Sequence, residues 1–264
     1  MPMPPAPAPH PASARLNDRL RSGLSFQISA DTDTLPLGLA VAEAALRAGV
    51  DIVEMGTPLI KTEGVRNVVP AFRAAFPEAV LLADMKTMDG GAYEARAVFA
   101  GGGNIIDFLA LAGTASARAI CAVRDEFRAA DPLLPRLAFA DILIPQQGPG
   151  ERAVDIALGM LEAGVDGVGI HLQLDARRAD PALLAGNAIA AIARAVHAAV
   201  GDRASVQVVG GLGLAQAAGL ARDGLRAFVI SGNLGHADPT ARFRQPPAEI
   251  ERDIAAFIAA VRAA

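Results

Sequence analysis

Tryptophan is absent from this 264-residue chain, tyrosine and cysteine occur once each, and lysine occurs only twice. Each scarcity excludes something. A lone cysteine, Cys121, cannot close an internal disulfide, so nothing calls for an oxidising compartment. Aromatics are 4% of residues while hydrophobic residues are 52%. The core must therefore be built from Ala, Val, Leu and Ile, the material of helices packed closely on a buried sheet. Lys+Arg 24 against Asp+Glu 28 leaves a formal charge of −4 with no long basic run. That balance excludes a phosphate-neutralising nucleic-acid surface. No apolar run reaches the roughly 20 residues of a membrane span, and the N-terminus lacks the basic flank and apolar stretch of a secretory signal. These absences point to a soluble, cytoplasmic protein that engages neither nucleic acid nor membrane.

What is present is a repeated unit. After MPMPPAPAPHPA, whose prolines forbid a helix, residues 1–15 read as a disordered Pro/Ala tail and 16–264 as one domain. His10 in the tail is incidental. Strand-like apolar runs fall at Ser25–Ala30, Asp51–Glu54, Ala79–Ala83, Asn104–Leu109, Leu137–Ala140, Gly167–Ile170, Ser205–Val209 and Ala227–Ile230. Ala-rich amphipathic stretches separate them, such as Leu35–Ala48, Tyr93–Ala100, Ala115–Ala129 and Val154–Ala163, and Ile250–Val261 closes the chain. Continuous apolar strands alternating with helices argue for a parallel sheet covered on both faces. Eight such units fit a closed (β/α)8 TIM barrel, typically about 250 residues. An open doubly wound sheet is the alternative, but the loop after its first strand, Asp31-Thr32-Asp33, has no glycine fingerprint.

A barrel of this kind carries its reacting groups at the C-terminal ends of its strands. Strand one ends in Asp31, strand two in Glu54, strand three in Asp84 followed by Lys86 and Asp89, strand five in Asp141 and strand six in His171. Convergent carboxylates repel one another unless a cation or ligand sits among them. Asp31 alone reads first as a helix cap, although Asp33 is better placed for that role. Glu is a poor cap, and the turn after Glu54 is already made by Gly56-Thr57-Pro58. Asp84 and Lys86 are two apart, so they leave one face of a strand. Lys86 stands out because only Lys61 accompanies it against 22 arginines, and a compact ammonium can hold a substrate oxygen or move a proton. Lys61 reads as an ordinary loop lysine. His171 on this rim suits a general base, His197 reads as structural, and His236 is left open.

Strands seven and eight end in glycine-bearing loops, Val209-Gly210-Gly211 and Ile230-Ser231-Gly232-Asn233. Those two loops commonly bind phosphate in this architecture, which points to a phosphorylated substrate.

The motifs Glu54-Met55-Gly56-Thr57-Pro58, Glu63-Gly64 and Leu82-Ala83-Asp84-Met85-Lys86-Thr87-Met88-Asp89, followed by Tyr93-Glu94, resemble the orotidine 5′-monophosphate decarboxylase suprafamily. The resemblance covers about Leu24 to Val261 and is greatest to its 3-hexulose-6-phosphate synthase branch. It implies that Glu54 and Asp84 bind Mg²⁺, that Asp31 holds a substrate hydroxyl and that Lys86 hydrogen-bonds a developing enediolate. It further implies that Asp89 reaches across a homodimer interface and that His171 is the base at C1 of ribulose 5-phosphate, whose carbanion adds to formaldehyde. Asp141, Gly210, Gly211, Ser231, Gly232 and Asn233 would bind the remainder of the sugar phosphate. The sister branch, 3-keto-L-gulonate-6-phosphate decarboxylase, carries Glu at the Asp141 position and Arg at the position of Leu174. The synthase branch usually has Thr-Gly after its His, where this chain has Leu172-Gln173. A decarboxylase or aldolase of another sugar phosphate, and a barrel that binds without catalysing, are the alternatives.

Overall fold

The computed structural model describes residues 11–148, 150–180, 182–185, 188–210, 212–232, 243 and 245–264. Its first half runs α1 (Pro11–Ser22), β1 (Ser25–Ala30), α2 (Leu35–Ala48), β2 (Ile52–Met55), α3 (Thr57–Glu63), α4 (Val65–Ala75), β3 (Val80–Thr87), α5 (Gly91–Ala100) and β4 (Ile105–Leu109). The second half runs α6 (Gly113–Ala130), β5 (Leu137–Ile144), α7 (Gly150–Glu162), β6 (Gly167–Leu172), α8 (Leu174–Ala179) and α9 (Ala182–Ala185). It continues through α10 (Ala188–Val200), β7 (Ser205–Val209), α11 (Leu214–Arg222), β8 (Ala227–Ile230) and α12 (Pro247–Arg262). The eight strands pair in sequence order, all parallel, and β8 returns to β1. This is the (β/α)8 barrel that the alternation of strand and helix implied.

Strand parity sorts the side chains. Ile52, Leu82, Ile105, Leu137 and Phe139 turn inward and meet at the N-terminal end of the barrel. Their neighbours of opposite parity, such as Val53, Leu81, Ile106 and Ala138, join the layer under the helices. Small alanines on the helices let them approach the strands closely, which compensates for the scarcity of aromatic bulk. Gly49 closes α2 in the left-handed conformation at φ 94°, as a glycine beyond a helix end is suited to do. Thr34, rather than Asp33, occupies the N-cap position of that helix; its own side chain makes no capping bond, and the Leu35 N–H donates instead to Glu63 Oε1 at 3.3 Å. Cys121 is buried in α6, and burial pushes its thiol pKa up to about 11.

Two expectations need correction. The tail was expected to extend to residue 15, but α1 begins at Pro11. Proline is tolerated at the first helical position because its missing N–H would have no partner there. Beyond it, Ala12, Leu16 and Leu20 recur every fourth residue and form one buried stripe. Leu16 and Leu20 fill the N-terminal mouth of the barrel against Ile52, Leu82, Ile105 and Leu137. Ser13 Oγ accepts a hydrogen bond from the Arg136 backbone N–H at 3.0 Å. His10 lies outside the described residues.

The second correction concerns strand length. β3, β5 and β6 run on to Thr87, Ile144 and Leu172, beyond the apolar runs that ended at Ala83, Ala140 and Ile170. Polar residues continue these strands because the upper half of the barrel interior is itself polar. Asp84, Asp141 and His171 are thus strand residues facing inward, not the first residues of loops.

Leu20 is 1% exposed, and truncating a leucine so enclosed costs the transfer energy and leaves a cavity. Leu20→Ala is expected to lower stability by about 3 kcal/mol in urea unfolding. A loss within experimental error would mean that α1 does not seal the barrel in solution.

Candidate active site

A cavity of about 480 Å³ opens at the C-terminal ends of the strands. Inward parity delivers Ser29, Asp31, Glu54, Asp84, Lys86 and His171 to its wall. Gly210, Ser231 and Gly232 line it on the β7–β8 side. Lys61 lies at its edge and is exposed.

Lys86 is the hub of this wall. Its φ of 47° is unusual for a residue with a side chain, and the β3–β4 register shifts between Asp84 and Thr87 around it. The bulge places Nζ 2.5 Å from Asp84 Oδ1 and 2.8 Å from Asp141 Oδ2. Burial works against the ammonium, yet Asp141 and then Asp84 hold its pKa well above the ordinary lysine value. Thr57 Oγ donates to Asp84 Oδ2 at 2.7 Å, fixing that carboxylate from the other side.

Asp141, 1% exposed, also meets His171, whose Nδ1 lies 2.7 Å from Asp141 Oδ2. A neutral imidazole donating from Nδ1 keeps its lone pair on Nε2, the arrangement a general base needs. Burial would raise the Asp141 pKa, but Lys86 and His171 outweigh it and hold the carboxyl below its usual range.

Glu54 accepts hydrogen bonds from Ser29 Oγ at 2.7 Å and from Gln27 Nε2 at 2.5 Å. Gln27 is held in turn by Gln207 Nε2 at 2.9 Å. Burial, then the charges of Asp84 and Asp31, push the Glu54 pKa well above the ordinary glutamate value. A group destabilised in this way accepts a cation readily, and a set of carboxylate oxygens suits a hard divalent ion. The residues therefore fit such a metal. Gly56 packs directly under Asp31 Oδ1, leaving no room for a Cβ, so the glycine expected to make a turn also seats the neighbouring carboxylate.

The structure brings Asp31, Glu54, Asp84, Lys86, Asp141 and His171 together. Asp89 is not in the cavity of its own chain; it is exposed and accepts a hydrogen bond from Gly90 N at 2.7 Å. Gly211, Asn233 and His236 lie outside the described residues. His197 lies in α10, where burial and then Arg226 lower its pKa.

Sequence reasoning missed two groups. Asp107, in the middle of β4, is 5% exposed and clusters with Asp84 and Asp141. Its signal was available, because an acid interrupts the apolar run Ile105-Ile106-Asp107-Phe108-Leu109 two residues from its end. Arg177 in α8, 7% exposed, also lines the cavity. Nothing in the sequence distinguishes it from the other arginines.

A closed parallel barrel with titratable groups converging at its C-terminal rim defines an enzyme-type architecture. The orotidine 5′-phosphate decarboxylase / HUMPS family model matches residues 25–232, and the chain belongs to that family. It is 44% identical over 79 residues to a 3-hexulose-6-phosphate synthase from Mycobacterium gastri, covering 28% of this chain and 38% of that protein. It is 35% identical over 108 residues to a probable 3-keto-L-gulonate-6-phosphate decarboxylase from Haemophilus influenzae, covering 41% of this chain and 47% of that protein. The aligned segments thus span less than half the length of these curated relatives. Over the whole fold, it superposes on a crystal structure of 3-hexulose-6-phosphate synthase with a TM-score of 0.70 at 26% identity. That superposition covers 89% of this chain and 99% of the other.

The low pKa of Asp141 has a measurable consequence. A carboxylate whose folded pKa lies below its unfolded value of about 3.9 contributes fully above that value. The contribution is lost as pH falls below it. Asp141→Asn is therefore expected to give a shallower loss of stability between about pH 4 and pH 2 than the wild type, read from urea midpoints. An equally steep acid limb would place the sensitivity in other carboxylates.

Proposed function

We propose that this chain is a divalent-cation-dependent aldolase that joins formaldehyde to C1 of ribulose 5-phosphate and catalyses the reverse cleavage. The observation that carries this reading is the Asp84–Lys86–Asp141–His171 chain of contacts at the rim of a barrel of this family. Glu54 and Asp84 would hold Mg²⁺, which, when bound, polarises the substrate carbonyl and its neighbouring hydroxyl.

The chain's own residues supply the remainder. His171, oriented through Nδ1 by Asp141, takes a proton from C1 at Nε2, and the electron pair of that C–H bond passes into the enediolate. Lys86, kept charged by its carboxylates, donates a hydrogen bond to the oxygen on which negative charge develops. Asp31 holds a substrate hydroxyl. C1 then bonds to the formaldehyde carbon, and the former aldehyde oxygen takes up a proton. Backbone around Gly210, Ser231 and Gly232 accommodates the phosphate, a role the sequence assigns to Gly211 and Asn233 as well, and Arg177 and Lys61 bring positive charge to the cavity wall. Gly210 is required by the packing of the wall itself: its φ is 112°, and a Cβ there would meet Leu172 O at 2.7 Å.

Homodimerisation is part of the proposal. Asp89 stands beside Met88, 52% exposed, and close to Tyr93, 85% exposed, an apolar setting that suits a partner surface into which Asp89 would reach. A decarboxylase acting on a 3-keto sugar-acid phosphate is the second reading. Arg177 favours it, because a guanidinium on the cavity wall can hold a carboxylate or a proton-bearing water.

Purified protein with Mg²⁺, ribulose 5-phosphate and formaldehyde is expected to consume formaldehyde, and EDTA is expected to stop it. Carbon dioxide release from the keto acid with no formaldehyde loss would instead favour the decarboxylase. Glu54→Gln and Asp84→Asn are expected to lower turnover by at least about a hundredfold while the barrel stays folded. In His171→Ala, exchange of the C1 proton of ribulose 5-phosphate with solvent is expected to vanish, and persisting exchange would assign the base elsewhere.

A further inference from the structure

Two features at the end of β6 have no defined target in the reaction described above. Leu172-Gln173 stands where the synthase branch carries Thr-Gly, and Arg177 is a cation on the cavity wall that is only 7% exposed. Gln173 occupies the N-cap position of α8, and Arg177 follows one turn later, its backbone N–H donating to Gln173 O at 3.0 Å. Residues four apart share one face of a helix, and here both side chains line the cavity.

The polarity of Gln173 is set from outside the cavity. Gln146, in the turn after β5, donates through Nε2 to Gln173 Oε1. That turn is anchored by the buried Gln147, whose Oε1 accepts from Leu143 N at 2.8 Å and whose N–H donates to Leu143 O at 2.8 Å. A primary amide has one oxygen and two N–H donors. With its oxygen engaged by Gln146, Gln173 has N–H groups to offer a ligand, and a guanidinium has donors only. Asp175, between them in sequence, also reaches the cavity, but it is exposed and lies 4.0 Å from Arg178. Water screens a charge so placed.

The location of this donor pair suits one end of a ligand. β6 and β2 are opposite each other in the closed order of strands, so the pair faces the wall that carries Glu54. It adjoins the loop after β7, where Gly210 packs against Leu172. A ligand whose carbonyl is drawn to the acidic wall therefore has its far end beside Gln173 and Arg177. The parallel N–H groups of a guanidinium match the oxygens of a phosphate.

We propose that Gln173 and Arg177 form a side-chain clamp for the phosphate monoester of the substrate and make the chain selective for phosphorylated sugars. The clamp adds a charge and an oriented amide donor to a seat otherwise made of glycine-bearing backbone after β7 and β8. It rests on the reading of the substrate as a sugar phosphate, and not on which carbon–carbon bond is made or broken.

The test reads binding rather than turnover. Mg²⁺-loaded protein without formaldehyde is titrated calorimetrically with ribulose 5-phosphate, inorganic phosphate and gulonate, in the wild type and in Arg177→Gln, Arg177→Lys and Gln173→Gly. Arg177→Gln is expected to weaken ribulose 5-phosphate and inorganic phosphate at least about tenfold, the scale of a hydrogen bond to a charged group. Gln173→Gly is expected to weaken both about threefold. Arg177→Lys is expected to recover part of the loss, because the charge stays while the fork is removed. Circular dichroism identifies a variant that fails to fold, and the half-buried Gln173 carries the test if Arg177→Gln does so. Unchanged phosphate affinity in the folded variants overturns the proposal. A loss confined to gulonate also overturns it and makes the pair a carboxylate site. Arg177-dependent binding of inorganic phosphate without binding of ribulose 5-phosphate supports the clamp and refutes that substrate, so the two failures are separable.

Discussion

The ammonium of Lys86 between Asp84 and Asp141 is the contact on which the upper half of the barrel depends. Three strands present buried acids to one another at this level, and repulsion among them would open the wall without a positive charge at its centre. Placing that charge requires a backbone excursion, the positive φ at Lys86 and the local slip of β3 against β4. Strain of this kind persists only where the surroundings compensate it, and two short ion pairs to buried carboxylates do so here. Asp141 gains its second function from the same geometry, because one of its oxygens orients both the lysine and His171.

The barrel interior is graded from floor to mouth. Leucines of α1 seal an apolar floor. Above it, Gln207 and Gln27 pass hydrogen bonds upward to Glu54. Ionisable residues follow above the amides, first the buried Asp107 and Asp141 and then the groups that line the cavity. Buried amides thus form the transition between hydrocarbon and carboxylate, and they hold Glu54 in a set orientation without adding another charge to an acidic wall. A scaffold built in this order can keep its stability in the lower half and concentrate unfavourable electrostatics in the upper half.

Much of this was legible in the sequence, for a physical reason. Parallel strands buried on both faces must be written as apolar runs, so eight such runs separated by helical stretches specified the closed barrel. The acids at Asp31, Glu54, Asp84 and Asp141 stood out because they interrupt or end those runs. Asp107 is less legible because it lies within β4 rather than at its end, where the polar zone reaches down into the strand opposite Asp84. Arg177 is invisible for a different reason. Its approach to the cavity depends on how a short helix sits after β6, and neither composition nor periodicity encodes that placement. The first helix was obscured by its prolines, although the four-residue spacing of Ala12, Leu16 and Leu20 already described a stripe.

Burial of the single thiol has a practical consequence. With the pKa of Cys121 near 11, about one molecule in ten thousand carries a thiolate at neutral pH, and that sulfur is enclosed by the core. The native chain is therefore almost silent toward thiol-directed reagents. A cysteine introduced in place of Tyr93, the exposed side chain near Asp89, would be the one reactive position. A fluorophore or spin label there would report directly on whether that face meets another molecule, with no background from the rest of the protein.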